Sequence, residues 1–323
     1  MVRHRLPSPD PLSGATLTDV VGDLVAADAL GFVVDTRRGP VRVERAVVTH
    51  LKVVPPKPSR RGAPHRALSV EDLQRVMVGA WPAMETARLG DWLLRASRGF
   101  TQRANSVVTT GDPGRPLPDA LDEVEGWYAA RDLPANLTVA VPVGTDPATD
   151  PVTVEALARG WVQRQPTVTL TAATRTIADT AVPQPSSTTP DIVLSRELDD
   201  DWFAAYRSYR EVDEEAARAI LTGSPDQVFA TARDADGGLL GVGRLGLADG
   251  WGGIAAMWVP PTARRRGVAT ALLRALAREA EDRGALSLHL QTDADNTAAL
   301  GLYERHGLER HHVYVNVASG SYR

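Results

Sequence analysis

The chain contains no cysteine. Disulfides, thiolate metal sites and a cysteine nucleophile are therefore excluded, and no metal is expected. No run approaches the ~18 apolar residues of a membrane helix. Met1 to Asp10 holds two arginines with no apolar stretch behind them, so it lacks the form of a signal peptide. These absences point to a soluble, cytoplasmic protein without a membrane partner. Nor is there a large excess of one charge, since the net charge is −4 over 323 residues. The balance is uneven, however: residues 1–66 carry 11 Lys/Arg against 6 Asp/Glu, and the remainder is mildly acidic. A basic first module raises a nucleic-acid-binding reading, but this stretch has few aromatic side chains to stack on bases, so nucleic acid is not an expected partner.

Hydrophobic residues make up 43% and charged residues 24%, the balance of a globular protein of two or three domains. Two Pro-rich stretches, residues 54–65 and 182–190, lack apolar periodicity and read as linkers. They divide the chain into segments 1–57, 67–180 and 191–323. Short β-rich runs near Thr18–Ala26, Gly31–Thr36, Val41–Ala46 and His50–Val54 predict a small all-β unit, with Arg37-Arg-Gly-Pro40 as a turn. The middle segment reads as a helix opened by Ser69-Val-Glu-Asp72, then β-β-α-β-α-β. The last segment repeats that order, with Asp236-Gly237 as a hairpin turn.

The stretch Met257-Trp-Val-Pro-Pro-Thr-Ala-Arg-Arg-Arg-Gly-Val-Ala-Thr-Ala-Leu-Leu273 carries the chemistry. A strand enters a short loop and then a helix whose Ala269, Leu272, Leu273, Leu276 and Ala280 fall on one face. Free amides at a helix N-terminus meet the positive end of the helix dipole, which is where a pyrophosphate is best held. Gly267 permits close approach of the backbone, and Arg264, Arg265 and Arg266 add charge-assisted contacts. Three arginines there oppose the dipole unless an anion joins them.

This stretch resembles the GNAT acyltransferase pattern Arg/Gln-x-x-Gly-x-Gly/Ala. Asp295-Asn-Thr-Ala-Ala-Leu-Gly-Leu-Tyr-Glu-Arg-His-Gly-Leu308 is similar to that superfamily's Asn…Leu-Tyr-x-x-x-Gly-Phe box, with Leu308 in place of Phe. The resemblance implies a tandem GNAT fold, an α/β mixed and splayed sheet flanked by helices. It also implies an SH3-like β-barrel ahead of that fold, as in a group of actinobacterial relatives. Acetyl-CoA is the implied co-substrate. The amides of Arg265, Arg266, Gly267, Val268, Ala269 and Thr270 would hold its diphosphate, and the backbone of Met257, Trp258 and Val259 its pantetheine arm. Asn296 would bond that arm or the neighbouring strand, and Tyr303 would protonate the departing thiolate.

The general base is not evident. Some relatives place a glutamate where this chain has Gln291. His289, two residues earlier, and the run Glu211, Asp213, Glu214, Glu215 are the alternatives, beside a water chain. The middle segment reads as a degenerate copy. Matching Gly160 to Gly307 sets Ala156 opposite Tyr303, and three prolines in residues 111–119 deny a phosphate the amides it needs. Arg103-Ala-Asn-Ser-Val107 has the form of a signature without an evident role. The expected activity is N-acetylation of a primary amine, a protein lysine or a small molecule. A non-catalytic acyl-CoA sensor and a nucleic-acid-binding module are the alternatives, and oligomeric state stays open.

Overall fold

A computed structural model describes residues 2–8, 16–36, 39–51, 64–179 and 190–320. Almost all of both proline-rich linkers, and the Arg37-Arg38 turn, lie outside these residues. Two compact units emerge, residues 1–60 and 61–323.

Among the described residues the first unit has six strands: β1 (Val2–Arg5), β2 (Leu17–Val20), β3 (Asp23–Ala27), β4 (Gly31–Thr36), β5 (Gly39–Glu44) and β6 (Val48–Leu51). They form two antiparallel sheets of three, in the orders β2-β1-β6 and β3-β4-β5. The unit is all-β as expected, but among the described residues it does not close into a barrel. Its core is small, centred on Val2, Val34 and Val43.

The second unit begins with helices α1 (Pro64–Ala67) and α2 (Val70–Ala80). Ser69 caps α2 by accepting from the Asp72 amide at 3.0 Å, as its sequence predicts. Then come β7 (Glu85–Leu89), β8 (Trp92–Ala96), β9 (Val107–Val108), α3 (Leu117–Ala129), β10 (Asn136–Pro142), α4 (Pro151–Ala158), β11 (Val162–Gln163), β12 (Thr167–Ala173) and α5 (Thr174–Ala178). The same order recurs with β13 (Asp191–Ser195), α6 (Asp200–Arg207), α7 (Glu214–Thr222), β14 (Asp226–Arg233), β15 (Leu239–Ala248), β16 (Trp251–Trp258), α8 (Val268–Asp282), β17 (Ser287–Asp293), α9 (Thr297–Arg305) and β18 (Glu309–Ala318).

The repeat is visible in the pairing. β8 is antiparallel to β9, which runs parallel to β10 across α3. Likewise β15 is antiparallel to β16, which runs parallel to β17 across α8. The helices α4 and α9 are followed by left-handed Gly160 and Gly307, at φ +81° and +89°, positions that glycine fills at least cost.

The two copies do not make two sheets. A single twelve-stranded sheet runs β13-β14-β15-β16-β17-β12-β18-β10-β9-β8-β7, with β11 beside β18. Strand β12 of the first copy lies between β17 and β18, and β18 of the second pairs with β10 of the first. Each copy thus completes its sheet with the other's last strand. Three main clusters fill the cores among the described residues, the first around α8, the second around α3 and the third around α6 and α7. The second joins Leu121, Val124 and Tyr128 of the first copy to Val315 and Val317 of β18.

Candidate functional site

β16 and β17 pair only from Trp251–Ser287 to Ile254–Leu290. Beyond that point they part, leaving the edge of Ala255–Trp258 without a neighbour on the β17 side. On its other side β16 stays paired to β15 through a register shift between Val242 and Arg244, and Ala256 there takes φ +53°. An extra residue in one strand bends it and re-aims its groups. A cavity of about 1240 Å³ fills the cleft. It is lined by Ile254–Met257, Gln291–Asp293, Asn296 and Tyr303, and by residues 98–103 of the first copy and 210–213 of the second.

From Trp258 the chain passes through Val259 and a tight turn at Pro261–Ala263 into the arginine loop. Trp258 stacks on Tyr209 with ring centroids 5.2 Å apart, and the Val259 carbonyl accepts from Arg264 Nε at 3.2 Å. Arg265 has φ +62° and Gly267 φ +79°. Left-handed residues of this kind turn successive amides toward one side of the loop, the geometry of an anion-binding nest. Helix α8 has neither a capping side chain nor an acidic residue in its first turn. Its first internal bond runs from the Ala271 amide to the Gly267 carbonyl, so the amides of Val268, Ala269 and Thr270 precede the ladder. Arg264, Arg265, Arg266 and Gly267 are exposed, and a Cβ on Gly267 would meet nothing within 4 Å. This loop suits a diphosphate: unpaired donors, three cations and open space coincide.

Asn296 caps α9, its Oδ1 accepting from the Ala299 amide at 3.1 Å, and it also borders the cavity. Tyr303, on α9, is buried yet borders the cavity. Burial pushes its phenol up to about 12, so it holds its proton at any working pH.

The candidate bases sort by environment. His289 is buried, and its Nε2 has no hydrogen-bond partner among the described residues. Burial first, and the Arg103 charge second, push it down to about 3, which leaves a neutral, weakly basic imidazole. Glu211 and Asp213 border the cavity, but Asp213 caps α7 by accepting from the Ala216 amide at 2.8 Å and lies 4.0 Å from Arg98; Glu214 pairs with Arg218 at 3.1 Å and Glu215 with Arg98 at 2.7 Å. Among the described residues no group of three His, Asp or Glu could hold a metal ion.

Sequence reasoning missed one participant. Arg103 reaches from the first copy into the cleft and donates to Gln291 Oε1 at 2.6 Å. The signature around it acts as a scaffold. Asn105, fully buried, accepts from the amides of Ser97 and Gly99 at 2.7 and 2.9 Å and donates to the carbonyls of Phe100 and Thr101 at 2.7 and 2.9 Å. Ser106 receives Arg95 on both its carbonyl and its hydroxyl. These bonds hold a loop in which Arg98 and Thr101 have positive φ, +50° and +60°, a conformation non-glycine residues keep only when neighbours fix it. The one available signal was the segment's own composition, a buried-type Asn beside an Arg.

Splayed strands, a bulged β16 and an amide nest at the head of α8 define an acetyltransferase of the GNAT type. The chain belongs to the family described as "Probable histone acetyltransferase Rv0428c C-terminal", which matches residues 69–317. It is 28% identical over 262 residues to "Uncharacterized N-acetyltransferase YobR" of Bacillus subtilis, covering 76% of this chain and 98% of that protein. It is 34% identical over 139 residues to "Probable histone acetyltransferase Rv0428c" of Mycobacterium tuberculosis, covering 43% and 42%. Among solved structures, a GCN5-related N-acetyltransferase from Kribbella flavida superposes with TM-score 0.56 at 17% identity, over 78% of this chain and 96% of that one. A tandem GNAT protein from the clavulanic acid biosynthesis pathway gives 0.53 at 16%, over 81% and 90%. No helix among the described residues is long and apolar enough to cross a membrane.

Proposed function

We propose that the protein transfers an acetyl group from acetyl-CoA to a primary amine by direct attack, working in the cytoplasm. The observation that carries this reading is the succession of three features: the β16 edge left open beyond Ile254, the cavity against it that Met257 and Tyr303 border, and the left-handed loop at Arg265–Gly267 that follows along the chain. In this reading the nest amides and arginines bind the diphosphate, and the open edge hydrogen-bonds the pantetheine amides as an added strand. Asn296 offers its amide nitrogen to the arm. The amine nitrogen bonds to the thioester carbon, the carbon–sulfur bond breaks, and Tyr303 donates to the sulfur as negative charge develops there. Holding the two reactants in one cleft supplies much of the acceleration. His289 is too weakly basic to take the amine's proton, and the open cavity admits water to carry it.

The acceptor is a small amine or a protein lysine; the name of the mycobacterial relative makes histone-type lysine peptides worth including. A second reading, a non-catalytic acyl-CoA sensor, is favoured by Gln291 standing where a carboxylate base would serve. Thiol release from acetyl-CoA with lysine peptides, polyamines and small amines separates the two. Gly267→Glu tests the nest: it adds a carboxylate beside the diphosphate, and the space above Gly267 lets the fold survive apart from about 1–2 kcal/mol of left-handed strain. Acetyl-CoA affinity measured by calorimetry is expected to fall at least 100-fold. Unchanged affinity overturns the proposal.

A further inference from the structure

Three guanidinium groups meet beside the splay point, and the described protein supplies none of them with an acid. Arg244 is fully buried and donates to the carbonyls of Leu221 and Ala80 and to Ser224 Oγ. Arg95 is buried and spends its donors on Ser106. Arg103 is half-buried; its guanidinium lies 4.9 Å from the Trp81 ring, and Arg244 lies 5.4 Å from the same ring. Among the described residues none of the three is within ion-pair distance of a carboxylate. Buried charge is ordinarily paired, so this end of the cleft is electropositive and lacks a counter-ion.

Arg95 and Arg244 have their donors engaged by backbone and hydroxyl oxygens. Arg103 differs. One nitrogen holds Gln291, and the side chain borders both the large cavity and a smaller one of about 30 Å³ beneath it. A guanidinium carries five donors in a planar fork, so Arg103 keeps donors for something entering the cavity. Its loop is fixed by Asn105 and by Trp81 Nε1 donating to Thr101 Oγ1 at 3.1 Å, which pre-places the fork. The CoA diphosphate is not that something. The nest lies beyond Trp258, and the strand from Ile254 to Trp258 alone spans about 13 Å.

We propose that the amine acceptor carries an anionic group, a carboxylate or a phosphate, and that Arg103 binds it and so selects the acceptor. The inference rests on the acyl-transfer reading above and narrows it. Glu211, on the same cavity, suits the cationic end of such an acceptor. Gln291 has a matching role. It keeps a negative side chain away from Arg103, where a glutamate would pair with the guanidinium and fill its fork.

The test uses matched acceptors: L-phenylalanine against phenethylamine, and O-phosphoethanolamine against ethanolamine. Thiol release is measured at saturating acetyl-CoA for the full-length wild type, Arg103→Ala, Arg103→Lys and Gln291→Glu. Charge-assisted bonds of this kind predict a roughly 10- to 100-fold preference in kcat/KM for the anionic member of at least one pair. The pair that discriminates identifies carboxylate or phosphate. The preference is expected to collapse toward unity in Arg103→Ala, to be partly kept in Arg103→Lys, and to fall in Gln291→Glu. No preference in the wild type, or a preference that survives Arg103→Ala, overturns the proposal. So does a loss of acetyl-CoA affinity in Arg103→Ala that accounts for the change in both members equally. If no amine releases thiol, the acyl-transfer reading fails by itself, and calorimetric titration of the same anions into wild type and Arg103→Ala still decides whether Arg103 binds them.

Discussion

Replacing Tyr303 with Phe removes one oxygen from a buried ring, and its expected size follows from the environment of that ring. A phenol acting as general acid can be worth 100- to 10,000-fold. Burial, however, holds Tyr303 at about 12, while a free thiol titrates near 8.5. Complete transfer of the proton to a free thiolate is thus uphill by roughly three to four pK units, about 5 kcal/mol. The hydroxyl therefore serves best as a hydrogen-bond donor to sulfur whose charge is still developing, a contribution of about 1.5–3 kcal/mol. Tyr303→Phe should lower kcat by about 10- to 100-fold with acetyl-CoA binding nearly unchanged. Because the phenol stays protonated, the wild-type rate should show no alkaline limb from Tyr303 below about pH 11. Steady-state kinetics across pH, with calorimetry of acetyl-CoA binding, check both points. A kcat within twofold of wild type, or a loss confined to binding, refutes the assignment.

Asn105→Ala strands two amides and two carbonyls in a buried loop, so it should cost about 3–5 kcal/mol in urea unfolding and also slow acetyl transfer; a cost below about 1 kcal/mol would mean the loop holds itself. Acid should destabilise the protein through its buried histidines. Gln74 Nε2 donates to His312 Nε2, His312 Nδ1 meets His311 Nδ1, and His311 Nε2 meets the Leu68 carbonyl, a chain whose donors and acceptors alternate only when both imidazoles are neutral. Burial pushes both His312 and His289 down to about 3. Their folded values lie below the unfolded value of about 6.5, so their contribution is complete above pH 6.5 and declines as pH falls toward 3. Between pH 6 and 4 stability should fall by up to about 3 kcal/mol per pH unit, one proton for each histidine. His312→Gln should flatten that slope, and urea midpoints that do not move with pH would refute it.

The features readable in the sequence were those whose parts are neighbours along the chain. The strand–loop–helix at 257–273 shows its nest in six consecutive residues, and the α9 box keeps Asn296 and Tyr303 within two helical turns. The turn at Asp236-Gly237 is likewise local, closed by the Gly238 amide on Asp234, whereas α7 (Glu214–Thr222) was not read although Asp213 caps it. Three things were not readable. Alternation along β12 and β18 says which face is apolar but not which strand lies alongside, so the exchange between copies left no mark. Arg103 and Gln291 are 188 residues apart, and each looks ordinary alone. The first N-terminal strand, β1, was hidden because Val2-Arg-His-Arg5 offers one apolar residue in four.

The crossing of β12 and β18 also bears on how the polypeptide is made. When a ribosome has released the first copy, β10 has no partner on the side β18 will occupy, and Leu137 and Val139 lack the wall that Val315 and Val317 provide. Neither lobe is finished until β18, Glu309–Ala318, has been made. A stop codon just before β18 should therefore cripple the early half as severely as the late one.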